Sequence, residues 1–253
     1  MTTGSVIPRT GLCDTTPEAQ AVLDEVYRRM PIERKWDLLW QAQRRQRLLA
    51  EAGRRIRDPG SISMSQHGED LDVLRRVVAA LEETGIAYAL CGSMASSIYG
   101  VMRSTQDADL TVEPFPGREE ALANCFDEAW YVSVPAMRQA NERRTSFNII
   151  HTAVGFKCDL FVQKDRPFDA STMGRRVYLA FPDVPNQPLW VLSPEDVILH
   201  KLKWYRLGSE TSERQWLDVR NVLSAQTGKL DHDYLTYWAA ELGVDDLLNE
   251  ALR

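Results

Sequence analysis

The stretch that most restricts what this chain can fold into is "DADLTVE", Asp107–Glu113. Side chains alternate across a β-strand, so Ala108 and Leu110 point to one face while Asp107 and Asp109 share the other. An ordinary core strand does not carry two acids this way, because an unpaired buried charge is expensive. Two carboxylates about 4 Å apart repel by about 4 kcal/mol at an effective dielectric near 20. A divalent cation turns that repulsion into attraction, and an all-oxygen donor set suits Mg²⁺. An exposed strand end with both acids solvated explains the same pattern, so the Asp-Ala-Asp element alone leaves both readings open.

A third carboxylate follows in "GFKCDLFVQ", where Phe156, Cys158, Leu160 and Val162 alternate with Lys157, Asp159 and Phe161. Asp159 therefore leaves an apolar strand on the face opposite its core residues, beside Lys157. If this strand lies next to the Asp107–Asp109 strand, three carboxylates converge. Three acids on two strands can hold two metal ions, the clamp used for in-line displacement at phosphorus. An edge strand stitched by a Lys157–Asp159 ion pair is the competing explanation. Upstream, "IAYALC" runs as a short strand into Gly92-Ser93 and a helix-like "MASSIYG". Glycine at such a junction lets backbone approach a ligand, and the helix start offers free N–H groups to a phosphate.

The surrounding pattern sets the fold class. The chain has 253 residues with 44% hydrophobic and 26% charged, enough for a core without disulfide staples. A helical stripe at Leu71, Leu74, Val78 and Leu81 precedes the first strand. Helices are predicted around 117–130 and 134–143, then a strand pair turning near Gly155. Helices follow over 194–207, 213–225 and 231–242. This is an α/β (α+β) chain: a mixed sheet flanked by helices, with a helical C-terminal part. Three regions are expected: an N-terminal helical hairpin over 1–60, an α/β core over 68–190 and a C-terminal helical region over 191–253 packing on it. Trp36 and Trp40, one turn apart, read as packing anchors of the hairpin.

Formal charge is −6, yet residues 28–57 hold ten Lys/Arg against three acids. That local +7 suits a polyanion such as RNA, or a basic arm docked on an acidic body. No apolar run approaches the about 18 residues of a membrane span, and the N-terminus lacks a signal-peptide layout. Cys13, Cys91, Cys125 and Cys158 are scattered without metal-ligand spacing, as expected of reduced thiols in the cytoplasm. His67, His151, His200 and His232 show no ligand spacing either, with His200 placed on the polar side of its helix. Neither a G-x-S-x-G element nor a Walker phosphate loop is present.

Gly92-Ser93, a gap, Asp107-Ala-Asp109 and a later strand Asp159 resemble the signature of the polymerase-beta-type nucleotidyltransferase superfamily. "SPEDVILHKLKWYRLGSETSERQWLDVRNVL", Ser193–Leu223, is similar to the C-terminal helices of its abortive-infection (AbiEii-type) branch. The resemblance covers roughly residues 70–225, includes Lys157-Cys-Asp159 as a Lys-x-Asp element and carries the branch's later Asp at Asp218. Gln215 stands where that pattern has an acid. It implies an NTP bound at Gly92 and Ser93, Mg²⁺ on Asp107 and Asp109, and Asp159 orienting or deprotonating the acceptor hydroxyl. A toxin-like enzyme of this branch would modify an RNA end and could meet an antidote protein. A resistance-type enzyme would modify a small hydroxylated molecule, and a non-catalytic module would bind nucleotide or a partner without turnover. A nucleotide-sugar glycosyltransferase also uses Asp-x-Asp, but the Gly-Ser and Lys-x-Asp elements argue against it.

Ser193-Pro194-Glu195-Asp196 reads as a capped helix start with a first-turn proline. Along that helix Lys201 falls inside the apolar arc of Ile198, Leu202 and Tyr205. It is therefore a candidate contact for triphosphate oxygens, unless it snorkels past the core to water. Lys203 falls on the polar side. Arg103 could meet phosphate or pair with an acid, and Asp218 is placed to orient Lys201 or another basic group. Lys157 completes the candidate nucleotide contacts.

Overall fold

The computed structural model describes residues 25–26, 28–36, 39, 69–103, 105, 107–181 and 184–253. Most of the predicted N-terminal hairpin, Trp40 and the greater part of the basic segment 28–57 lie outside these residues. Of the described part, residues 32–36 are helical and Trp36 and Leu39 are fully buried in the main core. Lys35 donates to the Tyr99 carbonyl at 3.2 Å, which also accepts from Gln226 at 2.7 Å.

The elements run α1 (Glu69–Glu83), β1 (Tyr88–Leu90), α2 (Gly92–Tyr99), β2 (Asp107–Val112), α3 (Glu119–Ala123), β3 (Trp130–Val132), α4 (Val134–Arg143), β4 (Ser146–His151), β5 (Phe156–Val162) and α5 (Pro167–Gly174). They continue through β6 (Val177–Phe181), β7 (Val184–Val191), α6 (Pro194–Leu207), α7 (Glu213–Ala225), α8 (His232–Glu241) and α9 (Asp245–Ala251). The strands form one mixed seven-stranded sheet in the order β3-β4-β5-β2-β1-β7-β6, flanked by helices. At its centre β2 runs parallel to β5 and antiparallel to β1.

The period-two pattern fixes which face is core. Ala108, Leu110 and Val112 of β2 and Phe156, Cys158, Leu160 and Val162 of β5 are all buried. Against them pack Leu74, Val77, Val78 and Leu81 of α1, and Met137 and Ala140 of α4. Each such large side chain removed from water stabilises the fold by roughly 1.5–3 kcal/mol. The opposite face of β2 and β5 is only partly covered. Helices α2, α6 and α7 gather beside it. Gly100 at the end of α2 lets this helix approach α7, since a Cβ there would sit 3.0 Å from the Asn221 and Val222 backbone.

Local chemistry sets the helix starts. Ser193 caps α6 by accepting from the Asp196 N–H at 3.1 Å, with Pro194 in the first turn. Asp196 is fully buried, and its carboxylate is held by the Ser193 and Tyr234 hydroxyls, each at 2.7 Å. Ser212 caps α7 and Asp231 caps α8 in the same way.

Three strands escape the sequence reading. The helix predicted over 117–130 is the short α3, and β3 follows it at Trp130. The pair β6–β7 forms the far edge of the sheet although 177–191 contains three prolines, which normally argue against strands. Its register shifts at Ala180/Phe181, as at a bulge. No helix among the described residues is long and apolar enough to cross a membrane.

Candidate active site

The parallel pairing of β2 with β5 places Asp109 opposite Asp159 and Asp107 opposite Lys157. The three predicted carboxylates thus lie on one face of two adjacent strands. Each is engaged by a neighbour. Thr105 donates to Asp107 at 2.7 Å. The Ser93 N–H supports Asp109. Asp159 is paired with Lys157 at 2.6 Å and accepts from the Asn148 amide, its in-register neighbour on β4.

Asp109 is the most perturbed of the three. Burial, with the charges of Asp107 and Asp159 adding to it, pushes its carboxyl up to about 6, against partial relief from Lys201 and the Ser93 N–H. Cys91, just ahead of the Gly-Ser turn, has its thiol pushed well above the usual range by burial and by Asp109. It is therefore an inert neighbour at neutral pH. Lys157 is pushed up by its bond to Asp159.

Gly92 meets this face at very short range. It adopts φ +60, and a Cβ built there would stand 1.9 Å from Asp109 Oδ2 and 2.7 Å from Asp109 Cβ. No side chain fits between the turn and the carboxylate. The Cys91 N–H also donates to the Asp109 carbonyl at 2.8 Å, fastening the turn to β2.

On the other side of the turn stands a buried charge cluster. Arg103 makes a two-pronged contact with Asp218, both bonds 2.8 Å, and a further bond to the Ser93 hydroxyl at 2.5 Å. Lys201 meets the same Asp218 at 2.8 Å and donates to Gln215 at 3.0 Å. Lys201 and Asp218 are 4% and 3% exposed. Against the push of burial, the Arg103 bonds and the Lys201 charge hold the Asp218 carboxyl below its ordinary range. Arg103 thus stands beside Ser93 as a cation paired to Asp218, and Lys201 is shared between Asp218 and Asp109, with burial lowering Lys201 against the pull of Asp218.

The donor set suits a hard divalent cation: carboxylate oxygens only, one of them destabilised by its own neighbours. As the side chains stand, no three Asp, Glu, His or Cys groups among the described residues are gathered closely enough to coordinate an ion. Asp159 is engaged instead by Lys157 and Asn148.

No protein-family model and no curated protein matches the chain. Among solved structures, it is similar to the solution structure of the antibiotic-resistance factor ANT(2'')-Ia, at 14% identity over 72% of this chain and 95% of that one, TM-score 0.42. An antigenic nucleotidyltransferase-like protein from Paracoccidioides brasiliensis is similar at 19% identity over 73% and 92%, TM-score 0.44. ANT(2'')-Ia in complex with adenylyl-2''-tobramycin is similar at 17% identity over 69% and 97%, TM-score 0.42. The function is therefore argued from the site itself.

The sequence marks Gln215 only as a departure from the family pattern and does not mark Asn148. Both are neutral amides, and what makes them relevant is a charged partner on another element. The departure at Gln215 was the one available signal. His200, expected on the polar side of α6, instead has its ring against Phe168 at 5.2 Å, and burial lowers it to about 4. Lys203 likewise reaches over the Phe168 ring at 5.8 Å.

Proposed function

We infer that the protein is a nucleotidyltransferase that moves a nucleoside monophosphate from an NTP to an acceptor hydroxyl, with Mg²⁺ held by Asp107, Asp109 and Asp159. The observation that carries this reading is the in-register pairing of Asp109 with Asp159 under a Gly92 that cannot bear a side chain. A structural ion-pair network does not need backbone pressed onto a destabilised carboxylate. A site that must hold a metal-bound triphosphate close to that carboxylate does.

Bound metal would supply charge neutralisation and alignment of the phosphate oxygens. The chain's own residues do the rest. Gly92 and Ser93 open the approach to the phosphates. Arg103 and Lys201, held in place by Asp218 and Gln215, present positive charge to the triphosphate. Asp159, once released from Lys157, accepts the proton of the acceptor hydroxyl, and the freed Lys157 ammonium faces the same phosphates. The acceptor oxygen then bonds to the α-phosphorus while the bond to the bridging oxygen breaks, and pyrophosphate leaves. Rate enhancement comes from positioning and preorganised charge.

The acceptor proposed first is an RNA end, because the basic segment 28–57 suits a polyanion. A toxin-like role, with an antidote protein as partner, is the biological form of that proposal. The test is incorporation of label from each α-labelled NTP, with Mg²⁺, into total RNA or a metabolite extract, run beside Asp107→Ala/Asp109→Ala. Label in a discrete RNA that vanishes in the variant supports the reading. Label in a small molecule moves the acceptor to an antibiotic-type substrate. Metal-dependent NTP binding without any labelling, across defined RNA and small-molecule acceptors, would favour a non-catalytic module and refute transfer.

A further inference from the structure

Trp204 lies on α6 one turn beyond Lys201 and is 55% exposed. Its ring stands 6.5 Å from that of Phe161, tilted by 59°. Phe161 is two residues beyond Asp159 on β5, on the same face and about 6.6 Å along the strand. Its in-register neighbours on that face are the small residues Thr111 and Ser146. Trp204 is open to water and Phe161 is half-buried beside a row of carboxylates, and neither belongs to the core.

The surroundings are charged. Where β5 leaves the sheet, Lys164 and Arg166 are exposed. Lys203 of α6 lies within the electrostatic reach of both, and of Asp169. Asp165 is also exposed here. The sheet order β5-β2-β1 puts Phe161 on the strand remote from the Gly92-Ser93 turn that follows β1. If the triphosphate sits at that turn, Phe161 and Trp204 stand on the acceptor side.

We propose that Phe161 and Trp204 form a stacking platform for a nucleobase of a single-stranded polynucleotide acceptor, with Lys164, Arg166 and Lys203 along its phosphates. This rests on the transfer reading above and specifies its acceptor. Stacking on aromatic side chains is tolerant of sequence because every base has a π-face. A base held at Phe161 keeps its own ribose within about one nucleoside's reach of Asp159.

The test is fluorescence anisotropy on the full chain, without NTP or metal. The probes are a short single-stranded oligoribonucleotide and an abasic strand of equal length and charge. The wild type is expected to prefer the base-bearing strand by about tenfold or more. Trp204→Ala erases that preference and Trp204→Phe keeps most of it, while Tyr237→Ala, another exposed aromatic, changes neither. NTP binding is unchanged in all three. Equal binding of both strands by the wild type, or a preference that survives Trp204→Ala, overturns the platform. Transfer of label to a small molecule with no strand binding overturns it too, and leaves nucleotidyl transfer standing. Intact base preference with no NTP binding upholds the platform and counts against the transfer reading.

Discussion

Replacing Gly92 by alanine tests the centre of the site with a single methyl group. At φ +60 an L-residue carries a cost of about 1–2 kcal/mol. The added Cβ would also sit 1.9 Å from Asp109 Oδ2 and 2.6 Å from its Cγ. Rotating the Asp109 side chain does not cure this, because Asp109 Cβ itself lies 2.7 Å away. The turn must move off β2, weakening the bond from the Cys91 N–H to the Asp109 carbonyl, and overpacking of this kind costs about 1–3 kcal/mol. Together the terms predict a loss of about 2–5 kcal/mol, which for a chain of this size lowers Tm by roughly 4–20 °C. Calorimetric melting measures it. Labelled-NTP transfer is expected to fall much further, by about 100-fold or more, because a 1 Å misplacement alone costs about that much. Transfer and Tm both unchanged in Gly92→Ala would refute the reasoning, since the turn could then not be pressed onto a catalytic carboxylate.

Two further outcomes follow from the charges. Asp109→Asn should abolish transfer yet stabilise the metal-free protein above pH 6. A carboxyl raised from 3.8 to about 6 gives stability that is full below about pH 4 and is lost as pH rises through 6, about 2–3 kcal/mol in all. Urea melts of the two proteins should therefore coincide near pH 4 and diverge by pH 7, and a less stable variant at pH 7 would contradict this. Asp218→Asn should act in the opposite sense. A carboxyl held low contributes stability above the unfolded value that is lost as pH falls through the folded one, so the variant is weaker by about 3–5 kcal/mol at pH 7 and the gap narrows in acid. In the same melts, a gap that stayed constant with pH, or one that widened in acid, would show that the fold does not hold the Asp218 carboxyl low.

The sequence by itself determined what is local. Alternation in 107–112 and 156–162 identified the core face and the carboxylate face of each strand, because the pleat repeats every two residues. Ser193-Pro194 marked the start of α6, because the cap and the fixed proline φ act within one turn. The charge cluster was half legible: Lys201 read as inward-facing and Asp218 as an orienting acid. Tertiary structure alone decided which residues meet. Asp109 faces Asp159 only through a parallel pairing across the residues between them, and a slip of one position would turn Asp159 into the core. Arg103 finds Asp218 at a separation of 115 residues. The strands β6 and β7 pair chiefly with each other and join the sheet where Val191 meets Leu90 of β1, despite prolines that read locally as loop. Trp204 meets Phe161 across a separation no local pattern reports, with their rings 6.5 Å apart. Local periodicity reports which way a side chain points. It carries no information about what the long-range packing brings to meet it.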